Sequence, residues 1–136
     1  MTECVFCRIV SGQLPSAKVF ENEKIVAFLD IGPIAPGHTL IATKDHFEVL
    51  TDLPQPLLQD LFAAVYQVTP AVVKATSAEG YNLLVNNRKC AGQAVPHVHV
   101  HLIPRKENDD RKFNWRPGKY EGDEMARMQE QIRAAF

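Results

Sequence analysis

Pro96-His97-Val98-His99-Val100-His101-Leu102-Ile103-Pro104 alternates imidazole and aliphatic side chains with a period of two. Successive side chains of a β-strand point to opposite faces of the sheet. The stretch therefore predicts a strand over 95–103, bracketed by Pro96 and Pro104. Val98, Val100 and Leu102 take the core face. His97, His99 and His101 share the other face and are expected to line a polar surface.

On the N-terminal side, Lys18-Val19-Phe20-Glu21 and the run from Lys24 to Asp30 are rich in β-formers. Asn22-Glu23 between them is a hairpin signal. Ile31 to Gly37 reads as a loop from its Pro and Gly content, and His38 to Thr43 as a third strand. Between Pro54 and Ala78, Leu57, Leu58, Leu61, Phe62, Val65, Val68, Val72 and Val73 keep helical spacing. Pro70 is expected to kink or locally break that helix. Tyr81 to Asn86 looks like a strand and Asn87 to Gln93 a loop. Residues 105–119 are charged and irregular. A last helix carries Met125, Met128, Ile132 and Phe136 on one face, with Asp123 and Glu124 at its positive N-terminal end. Strands mixed with one long internal helix and a C-terminal helix predict an α+β domain on an antiparallel sheet. Strand order is not readable from this pattern.

At 136 residues and 46% hydrophobic content, the chain is expected to form one domain, 1–136, without disulfide help. Its core would span about 4–104, with a charged loop and helix over 105–136. A net charge of -1 offers no general attraction to nucleic acid or an anionic membrane. No apolar run approaches the roughly 20 residues of a membrane-spanning helix. Met1-Thr2-Glu3-Cys4 lacks the basic start and apolar stretch of a signal peptide. Three cysteines, an odd number, fit a reducing compartment, so a cytoplasmic location is expected.

Besides a merely solvated face, two chemical readings of the histidine strand stand. Imidazoles two residues apart can chelate an ion. A straight strand, however, separates His97 from His101 by roughly 13 Å, too far for all three to share one metal. Alternatively one imidazole attacks phosphorus while its neighbours place charge and protons. Imidazole is mostly neutral and nucleophilic at pH 7. The upstream loop Cys90-Ala91-Gly92-Gln93-Ala94 favours this second reading. Gly92 permits close backbone approach, and the amides there with the Gln93 side chain could hold a phosphate oxygen. Cys4-Val5-Phe6-Cys7 has zinc-knuckle spacing but no second pair, which leaves zinc and two incidental thiols equally open.

Gly92-Gln93-Ala94-Val95-Pro96-His97-Val98-His99-Val100-His101-Leu102-Ile103 resembles the signature of the histidine triad (HIT) family. Phe28 to Pro33 with Ala35 to Leu40 resembles its second signature, and Cys4 to Val10 its start. The resemblance implies a nucleotide hydrolase or nucleotidyl transferase acting at the α-phosphate, with His99 as the nucleophile. It implies His101 as a phosphate-side partner and a role for the His97 segment in orienting the His99 ring. It further places Phe6, Ile9, Phe28 and Ile31 around the base and Asp30 on the ribose. His38, Asn86, Gly92, Gln93 and Ala94 would lie around the phosphate and the catalytic strand. Many relatives carry Ser or Thr where this chain has Ala94. In a bacterial zinc-containing branch, the resemblance implies a structural zinc on Cys4, Cys7, His46 and His97, and a homodimer. The competing expectations are a hydrolase with a catalytic metal on the histidine strand and a nucleotide-binding regulatory protein with vestigial catalysis. Dinucleoside polyphosphates, phosphoramidates and adenylyl-sulfate-type compounds all fit an attack at the α-phosphate.

Overall fold

A computed structural model describes residues 4–113 and 115–136. Five strands form one antiparallel sheet: β1 (Lys18–Glu21), β2 (Ile25–Leu29), β3 (Thr39–Thr43), β4 (Gly80–Leu84) and β5 (His99–Arg105). Their order across the sheet is β1-β2-β3-β5-β4, which puts the histidine strand inside. Three helices accompany it: α1 (Val5–Val10), α2 (Gln55–Thr76) and α3 (Glu124–Ala134). The α+β architecture, the long internal helix and the C-terminal helix are as the sequence predicts.

The two sheet faces are filled by alternate residues of the same strands. Ile25, Ala27, Ile41, Val98, Val100 and Leu102 pack against Leu57, Leu61, Val65, Val68 and Val72 of α2. Val26, Phe28, Leu40 and Ala42 face the other way and pack under Phe6 of α1. The β1–β2 turn closes because the Asn22 side chain accepts from the amides of Lys24 and Ile25, at 2.9 and 2.8 Å.

Three expectations are corrected. First, α2 is not broken at Pro70 but continues through it. That residue lies on the solvent face, and Tyr66, whose carbonyl loses its partner, is 84% exposed, so water can satisfy the freed group. Second, β5 starts at His99 rather than Val95 and runs through Pro104. The pairing with β3 ends at Leu102, so beyond it β5 has one neighbour and a residue without an N–H is tolerated. Third, the histidine face is not open: α1 covers part of it. Gly37, at φ +90°, brings the lead into β3 against α2; a Cβ there would lie 2.5 Å from Thr76 Cγ2.

Candidate active site and metal centre

The bend over 94–97 separates His97 from the strand that holds the other two histidines. The Val98 amide donates to the Phe47 carbonyl at 2.7 Å and fixes that approach. His97 is fully buried. Its Nε2–H donates to the Thr43 carbonyl at 2.7 Å, which leaves Nδ1 as an acceptor. Around that atom lie Cys4 Sγ at 3.4 Å, Cys7 Sγ at 3.7 Å and His46 Nδ1 at 3.2 Å, while Cys7 Sγ sits 3.4 Å from His46 Nδ1. A tetrahedral zinc with bonds of roughly 2.1 Å to nitrogen and 2.3 Å to sulfur spaces its donors about 3.3–3.8 Å apart. The four side chains fit such an ion, and the hydrogen bond to Thr43 leaves His97 Nδ1 as the nitrogen free to face it.

The His97 carbonyl serves the next histidine. His99 Nδ1–H donates to it at 2.6 Å, so in the neutral ring Nε2 carries the free lone pair. Burial pushes the His99 pKa below its ordinary value, opposed by that hydrogen bond, and keeps the ring neutral at pH 7. Phe6 stands edge-on to it, with ring centroids 4.9 Å apart.

His101 is set from behind. The Ile34 amide donates to His38 Nδ1 at 3.0 Å, so neutral His38 carries its proton on Nε2. That nitrogen lies 2.9 Å from His101 Nδ1 and donates to it. His101 therefore keeps its own proton on Nε2. Burial lowers the pKa of both, that of His101 to about 4. Asp30 Oδ2, 3.7 Å from His38 Nε2, completes the group. His38 thus acts on the strand through His101, a place the sequence did not specify.

A cleft of about 330 Å³ opens over His99. It gathers the predicted Phe6, Phe28, Asp30, Ile31, Asn86, Gly92, Ala94 and His101, and adds Val5 and Leu40. Ile9 is not in its wall; it packs against the core under α1. Gln93 also turns away: Oε1 accepts from the Arg88 amide at 2.8 Å and Nε2 donates to the Glu48 carbonyl at 2.6 Å. Its side chain pins the 86–93 loop instead of facing a phosphate. Gly92, at φ +94°, caps the turn beside Asn86.

A second cavity of about 580 Å³ adjoins the first. The two share Asp30, Asn86 and His101. Its far wall is Arg105, Asp110, Arg111, Lys112 and Phe113, which the sequence shows only as a charged irregular stretch.

A model described as the HIT domain matches residues 11–108. The adenylylsulfatase HINT3 of Arabidopsis thaliana is 41% identical over 107 residues, 79% of this chain and 54% of that protein. The chain thus spans about half the length of that relative. The adenosine 5'-monophosphoramidase HNT1 of Candida albicans is 37% identical over 135 residues, 96% of this chain and 89% of that protein. Among solved structures, SMU.412c of Streptococcus mutans UA159 superposes with a TM-score of 0.93 at 38% identity, covering 99% of this chain and 86% of its own.

Proposed function

The chain belongs to the HIT domain family, and from that premise we propose that it is a purine nucleoside phosphate hydrolase or nucleotidyl transferase with His99 as its nucleophile. The observation that carries this reading is the 2.6 Å bond from His99 Nδ1–H to the His97 carbonyl, which leaves a neutral Nε2 lone pair at the floor of the cleft. In the proposed reaction Nε2 bonds to the α-phosphorus and the bond from phosphorus to the leaving group breaks with its electron pair on the leaving atom. Negative charge on the non-bridging oxygens meets His101 Nε2–H and the backbone amides near Gly92. A water oxygen then bonds to phosphorus, the N–P pair returns to Nε2, one water proton stays on the new P–OH of the nucleoside monophosphate and the other passes to solvent. Phe6, Phe28 and Ile31 suit the flat base, and Asp30 suits the ribose diol. The two named relatives are called an adenylylsulfatase and a monophosphoramidase, and an adenosine 5'-phosphoryl group is common to both names.

We assign a structural zinc, in the manner of a bacterial zinc-containing branch, to Cys4, Cys7, His46 and His97. It would tie α1, and with it Phe6, to the catalytic strand. The ligand set is closed, so it leaves no open position to activate water. We also propose a homodimer in the cytoplasm. The chain exposes 9625 Å², against about 7,000 Å² for a compact protein of its mass. The edge strand β4 presents Tyr81 and Leu83, and α3 presents Met125, Met128 and Ile132 to solvent. Among the described residues no helix is long and apolar enough to cross a membrane, and nucleotide rather than nucleic acid is the proposed ligand.

Rapid quench with nucleotide labelled at the α-phosphorus is expected to show acid-labile label on His99. His99→Ala should lose about three or more orders of magnitude in rate while still binding nucleotide. Turnover without the intermediate, or an undiminished His99→Ala rate, refutes the mechanism.

A further inference from the structure

The loop that carries Gly92 contains a residue whose backbone suits glycine and not its own side chain. Arg88 stands at φ 76° and ψ 157°. L residues avoid that region, because the Cβ crowds the neighbouring peptide groups, and persist there only where the surroundings over-determine it. Gln93 supplies most of that surrounding. Its Oε1 accepts from the Arg88 amide at 2.8 Å and its own amide donates to the Arg88 carbonyl at 3.2 Å, so one residue grips Arg88 on both sides. Gln93 Nε2 donates to the Glu48 carbonyl at 2.6 Å, and the Glu48 carboxylate meets the Arg88 guanidinium at 3.2 Å, which closes a ring of three residues. Beside it, Asn87 Oδ1 accepts from the Leu50 amide at 2.7 Å. Both ties from the loop thus reach residues 48–50. The residue before them, Phe47, holds the Val98 amide at the head of the histidine strand. One short strap therefore references the loop and His99 to the same backbone.

We propose that Gln93 is a positioning residue for the phosphate side of the cleft, and that it works by holding Arg88 in a conformation from which an L residue relaxes when released. The inference rests on the reading of His99 as nucleophile, and it goes beyond that reading by tying the rate to two residues that touch no substrate. Gln93 lies between Gly92 and Ala94, which line the cleft with Asn86, yet it is itself 7% exposed and turned away. Asn86 Nδ2 donates to the Gly92 carbonyl at 3.4 Å, across the mouth of the loop. Arg88 lies between these two residues in sequence. Rotation about its φ swings the 86–87 arm against the 89–94 arm and parts Asn86 from Gly92. The strained conformation is thus what fixes the direction of both arms. The guanidinium contributes little by itself, since its ion pair with Glu48 lies at the surface.

The test uses the full chain. Gln93→Ala should lower kcat for a nucleoside phosphoramidate by about tenfold to a hundredfold, the cost of a misplaced loop and not of a lost reacting group. Calorimetric titration needs no turnover. Affinity for adenosine 5'-monophosphate should fall about threefold to tenfold, while that for adenosine, which lacks the phosphate, stays within about twofold. A second substitution separates positioning from mere support. Arg88→Gly and Arg88→Ala both lose the Glu48 ion pair and differ only in the Cβ. Added to Gln93→Ala, the glycine should restore most of the lost rate and monophosphate affinity, because it accepts positive φ without the clamp; the alanine should restore neither. Alone, Arg88→Gly should melt about 3 °C or more above Arg88→Ala. If wild type turns over no nucleotide, yet monophosphate affinity falls and is rescued in this way, the latch stands and the hydrolase reading falls. A folded Gln93→Ala protein with unchanged rate and monophosphate affinity, or a glycine double variant no better than the alanine one, overturns the proposal. Equal melting of the two Arg88 single variants overturns it by itself, even where Gln93→Ala fails to fold.

Discussion

His38→Ala would remove the imidazole that stands between the Ile34 amide and His101. His38 is 3% exposed, and both its ring nitrogens are engaged, at 3.0 and 2.9 Å. Its loss strands the Ile34 amide and leaves His101 Nδ1 without a donor. Ile34 is 51% exposed and both groups border the open cavity, so water replaces part of what is lost and stability should fall by about 1–2 kcal/mol. The effect on rate has a separate cause. Released from His38, His101 can move its proton to Nδ1 and turn a lone pair, instead of an N–H, toward the phosphoryl oxygens. Losing one donor aimed at a developing oxyanion costs about 10²–10³ in kcat. His38→Gln retains an amide N–H able to donate to His101 and should recover most of the rate. Steady-state kinetics would be read beside ¹⁵N shifts of His101, which report the tautomer directly. A folded His38→Ala protein whose kcat stays within about threefold of wild type, or whose His101 keeps its proton on Nε2, refutes the relay.

Metal analysis of protein purified without chelator should find one zinc per chain, and Cys7→Ser should lower metal content and Tm together, since binding energy at such a site is folding energy. Metal-free wild-type protein of full stability would contradict it. Light scattering at micromolar concentration should give twice the 15.2 kDa chain mass; a monomer mass counts against the dimer. The pKa of His101 is pulled down from 6.5 to about 4, chiefly by burial. The unfolded chain therefore binds more protons between those values, and stability present above pH 6.5 is lost as pH falls toward 4, by up to about 3 kcal/mol from this residue. His101→Gln should flatten that part of the urea-denaturation profile, and equal slopes in the two proteins would rule the assignment out.

What was legible in the sequence depended on period. Alternation marked β5 and helical spacing marked α2, because each pattern ran long enough to exclude the other. Strand order stayed hidden because it is set by packing between distant segments. Helix α1 was missed as a helix because its six residues, Val5–Val10, are fewer than two turns and show no resolvable period. The cysteine spacing on it left zinc and incidental thiols equally open, and only the resemblance joined Cys4 and Cys7 to the His46 and His97 that the fold places beside them. The alternation also overreached. It continues through His97, where Pro96 and the 94–97 bend have already taken the chain off the strand. Gln93 shows the same limit at the level of side chains: an amide beside a glycine suggests a phosphate contact, but the Arg88 amide and the Glu48 carbonyl engage it, while Ile9, placed at the base only by the resemblance, packs against the core. Nothing in residues 105–113 signals that Asp109 would fold the segment onto the sheet, since its partners Arg105, Lys106 and Arg111 resemble ordinary surface charges.

The bend at His97 explains why the first histidine of the triad is where it is. On a straight strand its ring would lie beside that of His99, and with roughly 13 Å to His101 it could neither join the others on a metal nor reach the thiols of α1. Off the strand it does two things at once. Its ring enters the Cys4–Cys7–His46 group, and its carbonyl accepts the hydrogen bond of His99 Nδ1–H at 2.6 Å. A residue held at Nδ1 by the cluster and at Nε2 by Thr43 has little freedom to rotate its own carbonyl. Under the proposed mechanism, loosening the cluster should therefore reach His99 through one residue, by freeing the carbonyl that accepts from its Nδ1–H, as well as lowering stability. His101 needs no such anchor, because β3 and β4 pair with its backbone on both sides, whereas His99 is paired by β3 alone.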